Sequence, residues 1–227
     1  MLLSIIIPVY NEQLTIGNII DRVKAAVQQT GLENEIIVVD DHSHDKSLVV
    51  AKRHGVKLYT LEQHMGKGYA LRAGFSKAKG DVIVTMDSDG SHRPEELSEV
   101  LAPVLQDKAD LVIGSRYMNH KKVAARQLNA FGVKLFNYSI QLLTGITITD
   151  SQSGYRAMKH GVLKNQTLKS GTYEIESEML VKTAKKNFRV TEVPISFEQR
   201  TYGRSGVDPL IDGFKIFLSI LSAYMKG

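Results

Sequence analysis

Five short apolar runs, each separated from the next by a stretch of helical length, constrain the first half of this chain more than any other feature. Leu3–Val9 is a continuous Ile-rich run with Pro8 near its end. It is too short for a helix core and apolar on both faces, as a strand buried inside a parallel sheet must be. Glu35–Val39, Val56–Leu61, Asp81–Met86 and Leu111–Gly114 repeat the pattern. Between the first two, Ile16, Ile19, Ile20, Val23 and Val27 mark one stripe of a helix that ends near Gly31. Lys46–His54, Tyr69–Lys79 and Pro94–Gln106 read as further helices, the last opening after a Ser-His-Arg-Pro turn. This alternation predicts βαβ units with right-handed crossovers, hence an α/β architecture with a doubly wound, mostly parallel sheet flanked by helices. Ligands of such sheets bind beyond the carboxyl ends of the strands.

The second half is less regular. Ala124–Thr144 reads as one long helix, Ser153–Met158 as a strand, Glu174–Lys186 as a helix and Val190–Ile195 as a strand. Gln199–Gly206 is a polar loop, and about 209–225 forms an amphipathic terminal helix. No repeat or linker interrupts the chain, so residues 1–227 are expected to form one domain. The N-terminus, MLLSIIIPVYNE, reads as a first strand without the marks of a signal peptide. No apolar run reaches the roughly 18 residues that span a bilayer. The absence of cysteine excludes thiolate metal sites and disulfides and fits a cytoplasmic location.

Three strand ends carry polar chemistry. In VIVTMDSDGSHRPEEL an apolar strand delivers Asp87 and Asp89 into a turn, with Gly90 following. Side chains at i and i+2 of an extended segment point the same way, so both carboxylates can face one divalent cation. Oxygen ligands suit Mg2+ or Mn2+, which keep waters and a substrate diphosphate as their remaining ligands. An EF-hand loop starting at Asp87 is excluded, because its twelfth position is Ser98 and not Glu. After the first strand, Tyr10 can stack on a base and Glu12 can accept hydrogen bonds from base or ribose. Asp41, at the end of the second strand, suits the same role, whereas Asp40 serves equally well as a cap for the next helix. The dinucleotide-binding Gly-x-Gly-x-x-Gly is absent, and His64-Met-Gly-Lys-Gly-Tyr lacks Walker spacing, so that segment reads as a backbone loop near the nucleotide.

Taken in order, SIIIPVYNE, VVDDHSHDKS, GKGYALRAGF, MDSDGSHRPEE, GSRY, DSQSGYRAM and EVPISFEQR resemble family-2 glycosyltransferases. The set is most similar to dolichyl-phosphate mannosyltransferases and related polyprenyl-phosphate glycosyltransferases, over about residues 3–206. The resemblance implies a GT-A fold and inverting, metal-dependent transfer from a nucleotide sugar, GDP-mannose or a UDP-sugar, to a polyprenyl (dolichyl) phosphate. It implies that Pro8, Tyr10, Glu12, Asp40 and Asp41 hold the nucleoside, and that Asp87 and Asp89 hold the metal and diphosphate. It further implies that Arg116 and Arg126 receive the acceptor phosphate and that Arg200 approaches the donor diphosphate from a mobile loop. Two departures stand out. Ser91 occupies a position where members often carry Gln as an extra metal ligand, and Gly203-Arg204-Ser205-Gly206 replaces Gly-x-Ser-Lys, so that the cation has either moved or is supplied by Arg204.

Charge is consistent with this. Between Leu111 and Tyr173 the only acid is Asp150, against nine Lys and Arg residues. Such a segment should meet something anionic, and a lipid phosphate or anionic membrane surface suits it better than nucleic acid, for which no aromatic-rich RNA motif is visible. A phosphate acceptor is already ionised near pH 7, its second pKa being about 6, so no strong base is required. Glu174, Glu176 and Glu178 accordingly read as a surface helix start favoured by the macrodipole. The alternatives are a glycosyltransferase with a soluble or hydroxyl acceptor, and a nucleotidyltransferase that makes the nucleotide sugar. The apolar stripes of the long and terminal helices fit peripheral membrane association; for the terminal helix a homodimer contact fits as well.

Overall fold

The structure, a computed structural model, describes residues 1–118, 127–198, 200, 202 and 208–226. Strands β1 (Leu2–Val9), β2 (Glu33–Asp40), β3 (Lys57–Thr60) and β4 (Val82–Thr85) alternate with helices α1 (Ile16–Thr30), α2 (Ser47–Arg53) and α3 (Lys67–Lys77), as the apolar runs predict. A 3-10 turn at Pro94–Glu96 opens α4 (Leu97–Leu105), which leads to β5 (Leu111–Ser115). Then follow α5 (Gln127–Thr144), β6 (Arg156–Lys159), α6 (His160–Lys164), α7 (Ile175–Lys185), β7 (Val190–Pro194) and α8 (Ile211–Lys226). The short α6 was not anticipated; it is a single turn without a readable stripe.

The seven strands form one sheet in the order β3-β2-β1-β4-β6-β5-β7. The β1–β2, β2–β3, β1–β4 and β5–β7 pairs are parallel, whereas β6 runs antiparallel to β4 and β5. The reversal has a simple origin. After α5 the chain returns to the carboxyl end of β5, where Arg116 N donates to Asp150 Oδ2 at 3.1 Å. A strand entered from that end must run backwards.

Both sheet faces are covered, which is why β1 is apolar throughout. Leu3, Ile5, Ile7 and Val9 pack with Ile19, Val23, Val100 and Leu101 of α1 and α4. Ile6 points the other way, toward Leu71, Met179 and Ile220 of α3, α7 and α8. Fully burying each such side chain stabilises the fold by about 1.5–3 kcal/mol. Gly31 ends α1 in the left-handed region at φ 66°, its N–H donating to Gln28 O. This sandwich leaves the carboxyl ends of β1, β2, β4 and β5, with the start of β6, along one edge.

Candidate active site

On one side of this edge the loops after β1, β2 and β3 close on one another. The Tyr10 ring stacks on His64, centroids 3.8 Å apart and planes 19° apart. His64 Nδ1 lies 2.8 Å from Asp41 Oδ2. Asp41 also accepts Met65 N at 2.8 Å and Gly66 N at 2.7 Å. Most of its acceptor capacity thus holds the loop leading into α3. Asp40 is buried and accepts Ser43 N at 3.2 Å, while its Oδ1 has no partner among the described residues. It does not cap α2: Asp45 accepts Ser47 N there, at 2.8 Å. Glu12 pairs with Arg200 and accepts from Thr15 Oγ1 at 3.1 Å. Burial is the largest influence on Glu12 and raises its pKa, even against the Arg200 charge. Pro8 contributes its carbonyl, which accepts Ser88 Oγ at 2.8 Å and ties β1 to the next turn.

That turn carries Asp87 and Asp89. Because β4 ends at Thr85, both stand beyond the strand, with Gly90 at φ 79°. Lys67, the first residue of α3, places Nζ 2.6 Å from Asp87 Oδ1 and 2.8 Å from Glu176 Oε1. Burial would lower the Lys67 pKa, but the two carboxylates more than offset it and the pKa is raised. Burial would raise Asp87, yet Lys67, foremost among the nearby cations, holds it at about 2. Glycines make this approach sterically feasible. A Cβ on Gly154 would lie 2.6 Å from Asp87 Oδ2, and one on Gly68 would lie 2.6 Å from the Gly171 backbone.

Asp89 Oδ1 accepts Ser91 N at 3.0 Å and Ser91 Oγ at 2.6 Å, so the Ser91 hydroxyl serves Asp89. Asp89 Oδ2 lies 3.8 Å from Arg200 Nη1. His92 is 1% exposed, neither ring nitrogen has a hydrogen-bond partner among the described residues, and Nδ1 lies 3.8 Å from Asp87 Oδ2. No three His, Asp or Glu side chains among the described residues form a closed cage. Two carboxylates on one turn do fit an ion of the Mg2+ or Mn2+ kind, whose remaining ligands are substrate phosphates and water.

On the other side of Asp87, Arg116 lies across buried Asp150, Nε at 2.7 Å and Nη2 at 2.8 Å. Its Nη1 makes no hydrogen bond among the described residues. Arg156, 1% exposed, donates to the carbonyls of Ser151, Ser153 and Glu176 at 2.7–2.8 Å and so pins the 151–154 turn to α7. Arg126, Lys121, Lys122 and residues 203–206 lie outside the described residues.

The acidic run is not a surface helix start. Glu176 and Glu178 are each 4% exposed. Glu174 accepts Gly171 N and Thr172 N, and Glu178 accepts Lys169 N and Ser170 N and pairs with Lys182 at 2.6 Å. The 169–172 segment wraps the start of α7, and its N–H groups need these acceptors. Lys67, Glu176, His92, Gly154 and Asp150 are therefore site residues that the sequence reading did not assign. Their signals were present in GKGYALRAGF, MDSDGSHRPEE and DSQSGYRAM, but only folding brings those segments together.

The family described as Glycosyl transferase family 2 matches residues 4–166. The chain belongs to this family. It is a glycosyltransferase, and its fold is GT-A, the fold of its structural neighbours. It is 31% identical to the UDP-N-acetylglucosamine--dolichyl-phosphate N-acetylglucosaminyltransferase of Methanococcus voltae, over 99% of this chain and 96% of that protein. It is 34% identical to the dolichol-phosphate mannosyltransferase of Pyrococcus furiosus, over 90% of this chain and 59% of that protein. The glucosyl-3-phosphoglycerate synthase of Mycobacterium tuberculosis, solved with Mn2+, UDP and glucosyl-3-phosphoglycerate, superposes with a TM-score of 0.78 at 20% identity, over 98% of this chain and 80% of that one. No described helix of this glycosyltransferase is long and apolar enough to cross a membrane.

Proposed function

We propose that this glycosyltransferase, acting as one domain, moves a sugar from GDP-mannose or a UDP-sugar to a polyprenyl phosphate at a membrane surface, with inversion and with Mg2+ or Mn2+. The observation that carries the lipid acceptor is an apolar face beside the site. Leu135, Tyr138 and Leu142 of α5 and Ile211, Phe214 and Leu218 of α8 are each about half exposed or more. These two helices pack together. Neither presents an exposed acid: α5 contains none, and Asp212 of α8 is buried. The face lies next to the site, because α8 also packs on α7, whose first turn carries Glu176. A helix face of this kind binds an anionic bilayer surface, and the relatives with dolichyl-phosphate in their names favour the same acceptor class.

The roles follow from charge. A divalent ion held by Asp87 and Asp89 would neutralise the departing nucleoside diphosphate as a Lewis acid. Arg200, between Glu12 and Asp89, would meet the diphosphate. Arg116 offers its Nη1 edge to the acceptor phosphate, with Asp150 fixing the plane of the fork, and Arg126 is assigned beside it. The acceptor oxygen attacks the anomeric carbon opposite the leaving diphosphate, which departs with the electron pair of the broken C–O bond. An ionised phosphate needs no base, in keeping with Glu174 and Glu178 both being engaged by backbone N–H groups.

Labelled nucleotide sugar and vesicles carrying polyprenyl phosphate test the reading. Sugar should appear in the lipid fraction with Mn2+ and not with excess EDTA, and the protein should co-sediment with anionic vesicles at low salt. Protein that stays in the supernatant and glycosylates only soluble acceptors would overturn the lipid assignment. Stoichiometric self-association that covers α5 and α8 would give the apolar face to a homodimer instead.

A further inference from the structure

The order of the strand ends lays out the substrates in a line. Along the sheet come Asp41 after β2, Tyr10 and Glu12 after β1, Asp87 after β4, Gly154 before β6 and Arg116 after β5. On the donor reading, with the nucleoside at the first end and the diphosphate at Asp87 and Asp89, the attached sugar would fall between Asp87 and Arg116. Asp87 and Lys67 close together there because Gly154 has no Cβ to block either, and Glu176 pairs with the same ammonium.

Glu176 differs from its neighbours. Glu174 and Glu178 are satisfied by backbone N–H groups, whereas neither oxygen of Glu176 accepts a hydrogen bond among the described residues, although it is 4% exposed. The one ion pair it makes among them is with the Lys67 ammonium, at 2.8 Å. Its backbone is fixed, because its carbonyl accepts Arg156 Nη1 at 2.7 Å. A buried carboxylate with open lone pairs is costly unless a ligand supplies the donors. The hydroxyls of a hexose are such donors. We infer that Glu176, neutralised by Lys67, is a specificity residue that accepts hydroxyl hydrogen bonds from the sugar being transferred. This rests on the donor reading above and adds to it the group that holds the sugar itself.

Calorimetry with Mn2+ tests it, titrating UDP, UDP-N-acetylglucosamine, GDP and GDP-mannose into wild type and Glu176→Gln. For whichever pair the wild type binds, the variant should bind the sugar nucleotide about ten- to a hundredfold more weakly, while affinity for the bare diphosphate holds within about twofold, as expected for losing hydrogen bonds to a charged group. Equal losses for both ligands would mean that Glu176 acts through Lys67 on Asp87, and unchanged affinity for both would mean that it touches no ligand; either overturns the inference. Should Glu176→Gln fail to fold, Glu176→Asp keeps the charge, withdraws it by one methylene and must show the same one-sided loss. Wild type that binds none of the four ligands would instead overturn the donor reading.

Discussion

Asp41 on one side of Asp87, and Asp150 and Glu176 on the other, are buried carboxylates neutralised in different ways. On the proposed nucleoside side, Asp41 is met by the peptide N–H groups of Met65 and Gly66 and by His64. On the acceptor side, Asp150 is met by the Arg116 fork and Glu176 by the Lys67 ammonium. Peptide dipoles belong to a loop that can shift and rebond. A buried cation cannot leave without its counter-charge. Asp41 should therefore tolerate loss of charge, and Asp150 should not.

The sharpest break of this contrast is Asp150→Ala. Arg116, mostly buried, would be left without its partner, and urea unfolding should show a loss of up to about 3–5 kcal/mol. A loss below about 1 kcal/mol, the range of exposed pairs, would mean that water reaches Arg116 and that the two sides are alike. Next comes Asp89→Ala, expected to lower turnover at least about 10²-fold by analogy with removing one electrostatic stabiliser of a transition state, with little change in melting temperature. Full turnover of that variant would remove Asp89 from the chemistry. Asp41→Asn keeps one carbonyl acceptor for the loop amides and should lose only about 1 kcal/mol; a loss matching Asp150→Ala would erase the distinction.

The smallest effect should come from acid. Asp87 is held at about 2, and Asp110 is held well below the usual carboxylate range, first by its hydrogen bond to Arg189 and then by Lys159. Folded values below an unfolded value of about 3.9 contribute stability that is fully present above that pH and lost as pH falls through the folded values. Glu12, raised by burial, acts in the opposite sense and makes the decline shallower. Melting temperature of the metal-free protein should decline gently below about pH 6.5, where His92, its pKa lowered by burial, resists protonation, and more steeply below about pH 4 as these carboxylates protonate; a profile flat down to about pH 3 would remove both effects.

Most of the sheet was legible because a strand buried on both faces must be apolar along its whole length, and that pattern is local. The positions of Tyr10, Glu12, Asp87 and Asp89 followed from it, since polar residues just past such strands line the ligand edge. Other features rest on partners far apart in sequence. The direction of β6 depends on where α5 returns the chain, and no periodicity encodes that. The three glutamates of α7 look like a solvated first turn until the 169–172 segment lies over them. Arg116 looks like a free cation until Asp150, 34 residues on, is folded against it. Lys67 looks like part of a backbone loop until glycines at 66, 68 and 154 let α3 close on Asp87 and Glu176. Sequence determines which side chains are apolar or charged and at what local spacing, whereas only tertiary structure decides which charges are removed from water together. That choice sets their partners, because a charge taken out of water without one is too costly to keep.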